Sequence, residues 1–431
     1  MPGTAGVGAG LPAPQRQRAG LLRVLGPGLV TGASDDDPSG IGTYSQAGAQ
    51  FGYGLLWTLL FSYPLMVGIQ EISARIGRVT GRGIAGNLAR YQPAPLARVL
   101  VALLSLANII NLGADLGAMG AALKLLVAGP QLLYVCMLGL LCVLLEIFVG
   151  YKRYASMLRW LCLSLVSYVI CALVSKVSWG SVVRALVWPQ LTMRSDYAMA
   201  VVAVLGTTIS PYLFFWQAQE EVELSRQQPG EAALRGGRAG AEFRRIHLDT
   251  VVGMGISNII AVCIVIATAG ALHVHGLTTI ESAAQAAEGL RQVAGSFTFA
   301  VFTLGIVGTG LLAVPVLAGS AAYALGESFS WRVGLAQVPH RAKAFYAAIA
   351  VATALGCGLN FTPINPIRAL YWSAVLNGMV AVPVMASMMW LSMRPAVMGP
   401  FVLRSTLRLL GWTATLAMGC AVLALLLSWI L

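Results

Sequence analysis

Two short stretches decide how this chain folds: Thr31-Gly-Ala-Ser-Asp-Asp-Asp-Pro-Ser-Gly40 and Gly206-Thr-Thr-Ile-Ser-Pro-Tyr212. Each interrupts a long apolar segment. In the first, three consecutive carboxylates would cost about 2.5–3.5 kcal/mol each at the centre of a lipid-facing helix. Pro38 removes a helix donor, and Gly40 and Gly42 weaken the helix further. In the second, Pro211 breaks the ladder among hydroxyl side chains. Such backbone is tolerated at membrane depth where it is buried in protein or lines a wet cavity.

The rest of the 431 residues supplies the membrane context. The chain is 58% hydrophobic and 10% charged, with a mean hydropathy of +0.77. Soluble domains carry about 25% charged residues, so these surfaces could not be kept wet. The net charge of +12 is spread among apolar segments, which argues against a nucleic-acid partner. Eleven segments are long and apolar enough to span a bilayer: 22–49, 54–76, 97–128, 130–150, 155–176, 197–218, 248–272, 295–325, 343–360, 366–391 and 408–430. Residues 1–20 read as a disordered cytoplasmic tail and 21–431 as one transporter domain. With the N-terminus inside, Lys124, Lys176, Arg184, Arg194, Arg291 and Arg368 fall outside. The other 22 of the 28 basic residues fall inside, as the positive-inside rule requires. The C-terminus then lies outside.

The broken segments are the first and sixth. They open two five-span sets, about 22–176 and 197–391, and the span at 408–430 is extra. Five is odd, so the second set enters the membrane inverted. Interrupted spans at matching positions of inverted repeats point to a transport site near the midplane. Carboxylate, carbonyls and hydroxyls there make an all-oxygen site suited to a hard cation.

Around these residues the sequence resembles the Nramp family of divalent-metal transporters. The run Asp37-Pro-Ser-Gly-Ile-Gly-Thr-Tyr-Ser-Gln-Ala-Gly-Ala-Gln-Phe-Gly-Tyr53 is similar to the family's first-span motif. Asn365-Pro-Ile-Arg-Ala-Leu-Tyr-Trp-Ser-Ala-Val-Leu-Asn-Gly378 is similar to its tenth span. The resemblance implies an all-α polytopic membrane protein with a LeuT-like fold: eleven transmembrane helices, two inverted five-helix repeats plus one, with helices 1 and 6 broken. It also implies a metal site at Asp37, Gly40, Thr207 and Ser210.

The departures fall at functional positions. The family's first-span Asn is Gly40 here. Its sixth-span Ala-x-x-Met-Pro-His reads Thr207, Ser210, Pro211 and Tyr212. Asp115 is kept in the third span, but the flanking Glu positions are Asn108 and Ala118. Together with Phe214-Phe-Trp-Gln-Ala-Gln-Glu-Glu-Val-Glu223, this pattern resembles the Nramp-related magnesium transporters. Loss of a thioether, a ligand that favours softer metals, and of one Asn leaves room for an ion that keeps its waters, as Mg²⁺ prefers.

The expected function is therefore secondary uptake of a divalent cation, Mg²⁺ first with Mn²⁺ tolerated, by alternating access without proton coupling. Proton-coupled Mn²⁺/Fe²⁺ symport is the alternative. No cofactor, nucleic acid or obligatory protein partner is expected. The bilayer is the surrounding phase, with a bacterial inner membrane as the expected location. No Ser/His pair, HExxH or GxGD motif within the spans points to an enzyme.

Other residues have two readings. Asp35 and Asp36 either draw cations in or hydrogen-bond the broken backbone. Asp115 is a gating or proton group, or a structural acid. Asn377 faces the cavity or joins two helices. Glu220, Glu221 and Glu223 line an exit, or form a solvated helix end paired with Arg. Glu71 and Glu146 are expected in structural ion pairs. The four histidines are expected in or near loops, and the seven cysteines as small hydrophobes.

Overall fold

A computed structural model describes residues 27–149, 166–174, 177–192, 194–227, 238–280, 283–335 and 337–430. The tail expected at 1–20, the start of the fifth span and the basic residues Lys152 and Arg153 lie outside them. The described chain is nearly all helical, and seven helices are long and apolar enough to cross a membrane.

The first span is two helices, α1 (Pro27–Asp35) and α2 (Pro38–Phe51), with Asp36 and Asp37 between them. Asp37 is the N-cap of α2, and Pro38 takes the first helical position, where its missing N–H costs nothing. Then follow α3 (Leu56–Thr80), a short α4 (Ile84–Tyr91), α5 (Ala94–Leu126) and α6 (Gln131–Phe148). Next come α7 (Val166–Val174) and α8 (Trp179–Val187). The sixth span is also split, into α9 (Ser195–Thr208) and α10 (Pro211–Gln227). The remaining helices are α11 (Arg238–Ala271), α12 (Ala283–Ser328), α13 (Lys343–Leu359), α14 (Pro366–Ser392), a single turn α15 (Pro395–Met398) and α16 (Ser405–Ile430). Both predicted breaks are present, and most helices fall on the predicted apolar segments, but α11 and α12 begin at Arg238 and Ala283, well before the predicted 248 and 295. The short amphipathic helices α4 and α8 were not anticipated, because neither is long enough to span.

Small residues bring the broken spans against their supports, as is common between membrane helices. A Cβ on Gly32 of α1 would strike the backbone of Gly253 in α11. One on Gly206 of α9 would strike Ala374 O and Gly378 N of α14. One on Gly77 of α3 would strike the carbonyl of Ala218 in α10, and the Ser73 hydroxyl also donates to Phe214 O. The two breaks are thereby held beside each other and between α5, α11 and α14.

Candidate metal site at the two helix breaks

Asp37 is 3% exposed and the best-connected group at the break. Its Oδ1 accepts from Gly40 N at 2.6 Å. Its Oδ2 accepts from Asn111 Nδ2 of α5 at 3.1 Å and from the Tyr212 hydroxyl at 3.3 Å. The Tyr212 hydroxyl also reaches Ser34 O, a carbonyl of the broken first span, at 2.9 Å. The residue after the second break is therefore tied to both the backbone and the carboxylate of the first.

The remaining predicted site residues divide into those that meet at this point and those that do not. Gly40 faces the sixth span: a Cβ on it would lie 3.1 Å from Thr207 Cγ2 and 3.0 Å from Asp35 O. The space expected from a small residue at position 40 is thus partly taken by the Thr207 methyl, a correction to the expected room. Where the family has Asn and Ala, this chain has Gly and Thr, so volume removed from one helix is returned by the other. Thr207 Oγ1 is buried without a hydrogen-bond partner among the described residues. Ser210 donates its hydroxyl proton to Gly206 O and Thr207 O, both at 2.7 Å. Its oxygen lone pairs are what it can offer to an ion or an ion's water.

Asp115 is fully buried and its Oδ1 accepts from Ser39 N at 3.0 Å. It supports the first turn of α2 from α5, while its Oδ2 has no hydrogen-bond partner among the described residues. Asp35 accepts from Ser257 of α11 at 2.6 Å. Asp36 is fully buried, beside Asp35 and the Ser257 hydroxyl that Asp35 holds. Asn377 is buried, and among the described residues its Oδ1 has no hydrogen-bond partner.

Sequence reasoning missed Asn111 and Ser373. Asn111 Oδ1 accepts from the Ser373 hydroxyl at 2.8 Å, and Ser373 also meets Ser39 Oγ at 3.2 Å. The chain Ser373–Asn111–Asp37 fixes the amide so that its NH₂ faces the carboxylate. A signal was present: Asn111 lies one turn before Asp115 on the same face of an apolar helix.

Three expectations for ionisable residues near span ends need correction. Glu220, Glu221 and Glu223 are 3%, 0% and 6% exposed, not a solvated helix end. Glu221 does pair with Arg245 at 2.5 Å, and Glu223 accepts from Tyr323. Glu71 pairs with Arg75 at 2.5 Å and His247 at 2.8 Å, as expected of a structural acid. His247 therefore lies within α11 rather than in a loop. Glu146 has no partner for either oxygen among the described residues. Five cysteines among the described residues are free; Cys142 is buried as a small hydrophobe, whereas Cys136 and Cys420 are exposed.

Chemically, the breaks bring one fixed carboxylate, open backbone and neutral oxygens together in a dry interior. No three His, Cys, Asp or Glu side chains among the described residues converge well enough to hold a metal ion. An ion here would therefore take Asp37 with neutral oxygen ligands or with its own waters, an oxygen-rich set suited to a hard divalent cation.

Comparison with known proteins agrees with this architecture. A model of the Nramp family, "Natural resistance-associated macrophage protein-like", matches residues 28–428. A relative named divalent metal cation transporter MntH, from Verminephrobacter eiseniae, is 28% identical over 415 residues, covering 94% of this chain and 88% of its own. One of the same name from Acidiphilium cryptum is 27% identical over 430 residues, covering 96% and 92%. Among solved structures, the Eremococcus coleocola manganese transporter superposes with a TM-score of 0.72 at 18% identity, covering 97% of this chain and 88% of that one. MhsT in complex with L-phenylalanine gives 0.60 at 14% identity, covering 94% and 98%. These neighbours share the LeuT-like fold, two inverted five-helix repeats with broken first and sixth helices.

Proposed function

We propose, from the premise that the chain belongs to the Nramp family, that it is a multi-pass transporter carrying a divalent metal cation into the cell, and that hydrated Mg²⁺ is its preferred ion. It is a transporter and not an enzyme. The relatives named MntH support the divalent-metal class. Their bacterial origin supports an inner-membrane location. The distribution of Lys and Arg supports a cytoplasmic N-terminus.

The observation that carries the Mg²⁺ reading is the donor set. Asp37 is the carboxylate at the break that Asn111, Tyr212 and the Gly40 amide orient, and the position of the family's Met holds Ser210, whose hydroxyl leans on its own backbone. Without a thioether the site loses its preference for softer metals. An ion that sheds water reluctantly can keep it, with the hydroxyls of Thr207 and Ser210 contacting that shell. Asp37 offsets the loss of bulk solvent. Asn111 and Tyr212 hold its carboxylate in one orientation, so ordering need not occur on binding.

The two breaks belong to spans of opposite repeats. Rocking one repeat set against the other would expose the Asp37 region to each side in turn, which is alternating access. The test is uptake into proteoliposomes containing the purified protein, with Mg²⁺ or Mn²⁺ outside and a pH dye inside. Saturable Mg²⁺ uptake without acidification is expected. Uptake of Mn²⁺ with proton entry, and no uptake of Mg²⁺, would instead establish the ordinary symport of the family.

A further inference from the structure

At the inner ends of α3, α11 and α16 lies a cavity of about 640 Å³, remote from the helix breaks. We propose that it binds the headgroup and proximal acyl chain of an anionic phospholipid from the cytoplasmic leaflet.

The charge is one-sided. Arg75, Arg244, His247 and Arg404 line the cavity, with Glu71 as the carboxylate among its lining residues. Glu71 is already engaged by Arg75 and His247. Arg244 and Arg404 are exposed and pair with no carboxylate among the described residues. Arg75 Nε is buried without a hydrogen-bond partner. The guanidinium of Arg75 sits 4.6 Å from the centre of the Phe243 ring, which fixes its plane. The result is three guanidinium groups with spare donors, a set matched to phosphate.

The shape is amphipathic. Along α3 the lining runs from Arg75 to Val67, and from Arg404, just before α16, it runs along that helix to Leu410. Eight residues of helix cover about 12 Å, so the cavity passes from a basic mouth to an apolar depth within the reach of a headgroup and its first methylenes. Phe243 and Phe401, edge to face at 5.5 Å, form one wall. The deep end is closed where Leu410 rests on Gly68, 2.9 Å from a Cβ placed there. A free phosphate would satisfy the arginines and leave the apolar wall wet. A diacyl phospholipid of the inner leaflet satisfies both, and basic pockets between helices on this side are suited to such headgroups. This reading is independent of which ion the transporter carries.

The experiment uses the full-length protein purified in neutral detergent, with its melting temperature measured on adding phosphatidylglycerol, phosphatidylcholine or inorganic phosphate. A rise with phosphatidylglycerol alone is expected. In R244Q/R404Q, whose replaced side chains are exposed, the phosphatidylglycerol concentration for half the rise should increase about tenfold or more. R90Q/R98Q removes two exposed arginines outside the cavity and should leave that concentration unchanged. The proposal is overturned if wild type shows no rise, if inorganic phosphate gives the same rise, or if both double variants respond alike.

Discussion

Asn111 donates its side-chain amide to Asp37 Oδ2 across 3.1 Å, and its own carbonyl is held by the Ser373 hydroxyl at 2.8 Å. Three helices thus orient one carboxylate. Groups that orient a metal ligand from behind commonly contribute about 10- to 100-fold in affinity. Asn111→Ala should weaken Mg²⁺ binding by about that factor while leaving the fold intact. Ser373→Ala should have a smaller effect in the same direction. Calorimetric titration of the purified variants measures both, and unchanged affinity in Asn111→Ala would remove this helix from the site.

Asp37 itself is the stronger case. Its loss removes the charge that offsets the ion's desolvation, so Asp37→Ala should abolish saturable uptake. Folding should survive, because an intramembrane carboxylate is itself costly. Near-wild-type transport by well-folded Asp37→Ala protein would place the ion elsewhere.

The Gly40–Thr207 contact changes how selectivity should be tested. Restoring the family's Asn and Met as Gly40→Asn with Ser210→Met leaves the Thr207 methyl 3.1 Å from the new Cβ. That double variant should lose Mg²⁺ uptake without gaining a softer ion. Adding Thr207→Ala removes that methyl but not the Asp35 carbonyl 3.0 Å from the new Cβ, so the triple variant should regain only part of the space and bind Mn²⁺ and Cd²⁺ more tightly than the double variant. Competition of Mg²⁺, Mn²⁺ and Cd²⁺ for binding reads the outcome. Full Mg²⁺ transport by the double variant would show that positions 40 and 210 do not set selectivity.

Both breaks were legible because Pro38, Pro211 and three adjacent acids contradict a continuous lipid-facing helix. The approximate positions of most spans were legible from hydropathy, whereas the early starts of α11 and α12 were not, because polar and charged residues open both helices. The polar partners of Asp37 were harder to read. Asn111 and Ser373 are separated from Asp37 by 74 and 336 residues, and a single polar residue in an apolar helix does not reveal which neighbour it meets. The buried glutamates in the second half of α10 were misread for a related reason. Three acids near a helix end suggest water in one dimension, whereas Arg245 and Tyr323 arrive from other helices. The occupied space at Gly40 is likewise a property of two helices together.

Gly206 offers a packing test next to the site. A Cβ there would strike Ala374 O and Gly378 N, and backbone cannot yield as a side-chain tip does. Gly206→Ala should cost about 1–3 kcal/mol and push α9 away from α14, lowering both melting temperature and uptake. Gly358→Ala, on α13 with nothing within 4 Å of the new Cβ, should leave both near wild type. Equal behaviour of the two variants in thermal denaturation would contradict the close contact.

Coupling to protons is the last prediction, and it follows from which groups the helices carry. A relay through a membrane needs ionisable groups or ordered water from the site to one face. Here the family's acidic positions on α5 are Asn108 and Ala118, and Asn108 spends its amide on Leu317 O at 3.1 Å. The family's His is Tyr212, whose hydroxyl proton is directed at Ser34 O and Asp37. Asp115 remains, bonded to the Ser39 amide. The expected driving force is therefore the ion gradient and the membrane potential. The potential supplies about 2.3 kcal/mol per charge per 100 mV, roughly doubled for a divalent ion. Mg²⁺ uptake should rise with a negative internal potential and should be insensitive to an imposed pH gradient at fixed potential. Proteoliposomes with an internal pH dye decide the matter, and stoichiometric acidification would defeat the prediction. Should acidification occur and vanish in Glu146→Gln, the proton would be travelling through α6, where that carboxylate lies buried with both oxygens unpartnered among the described residues.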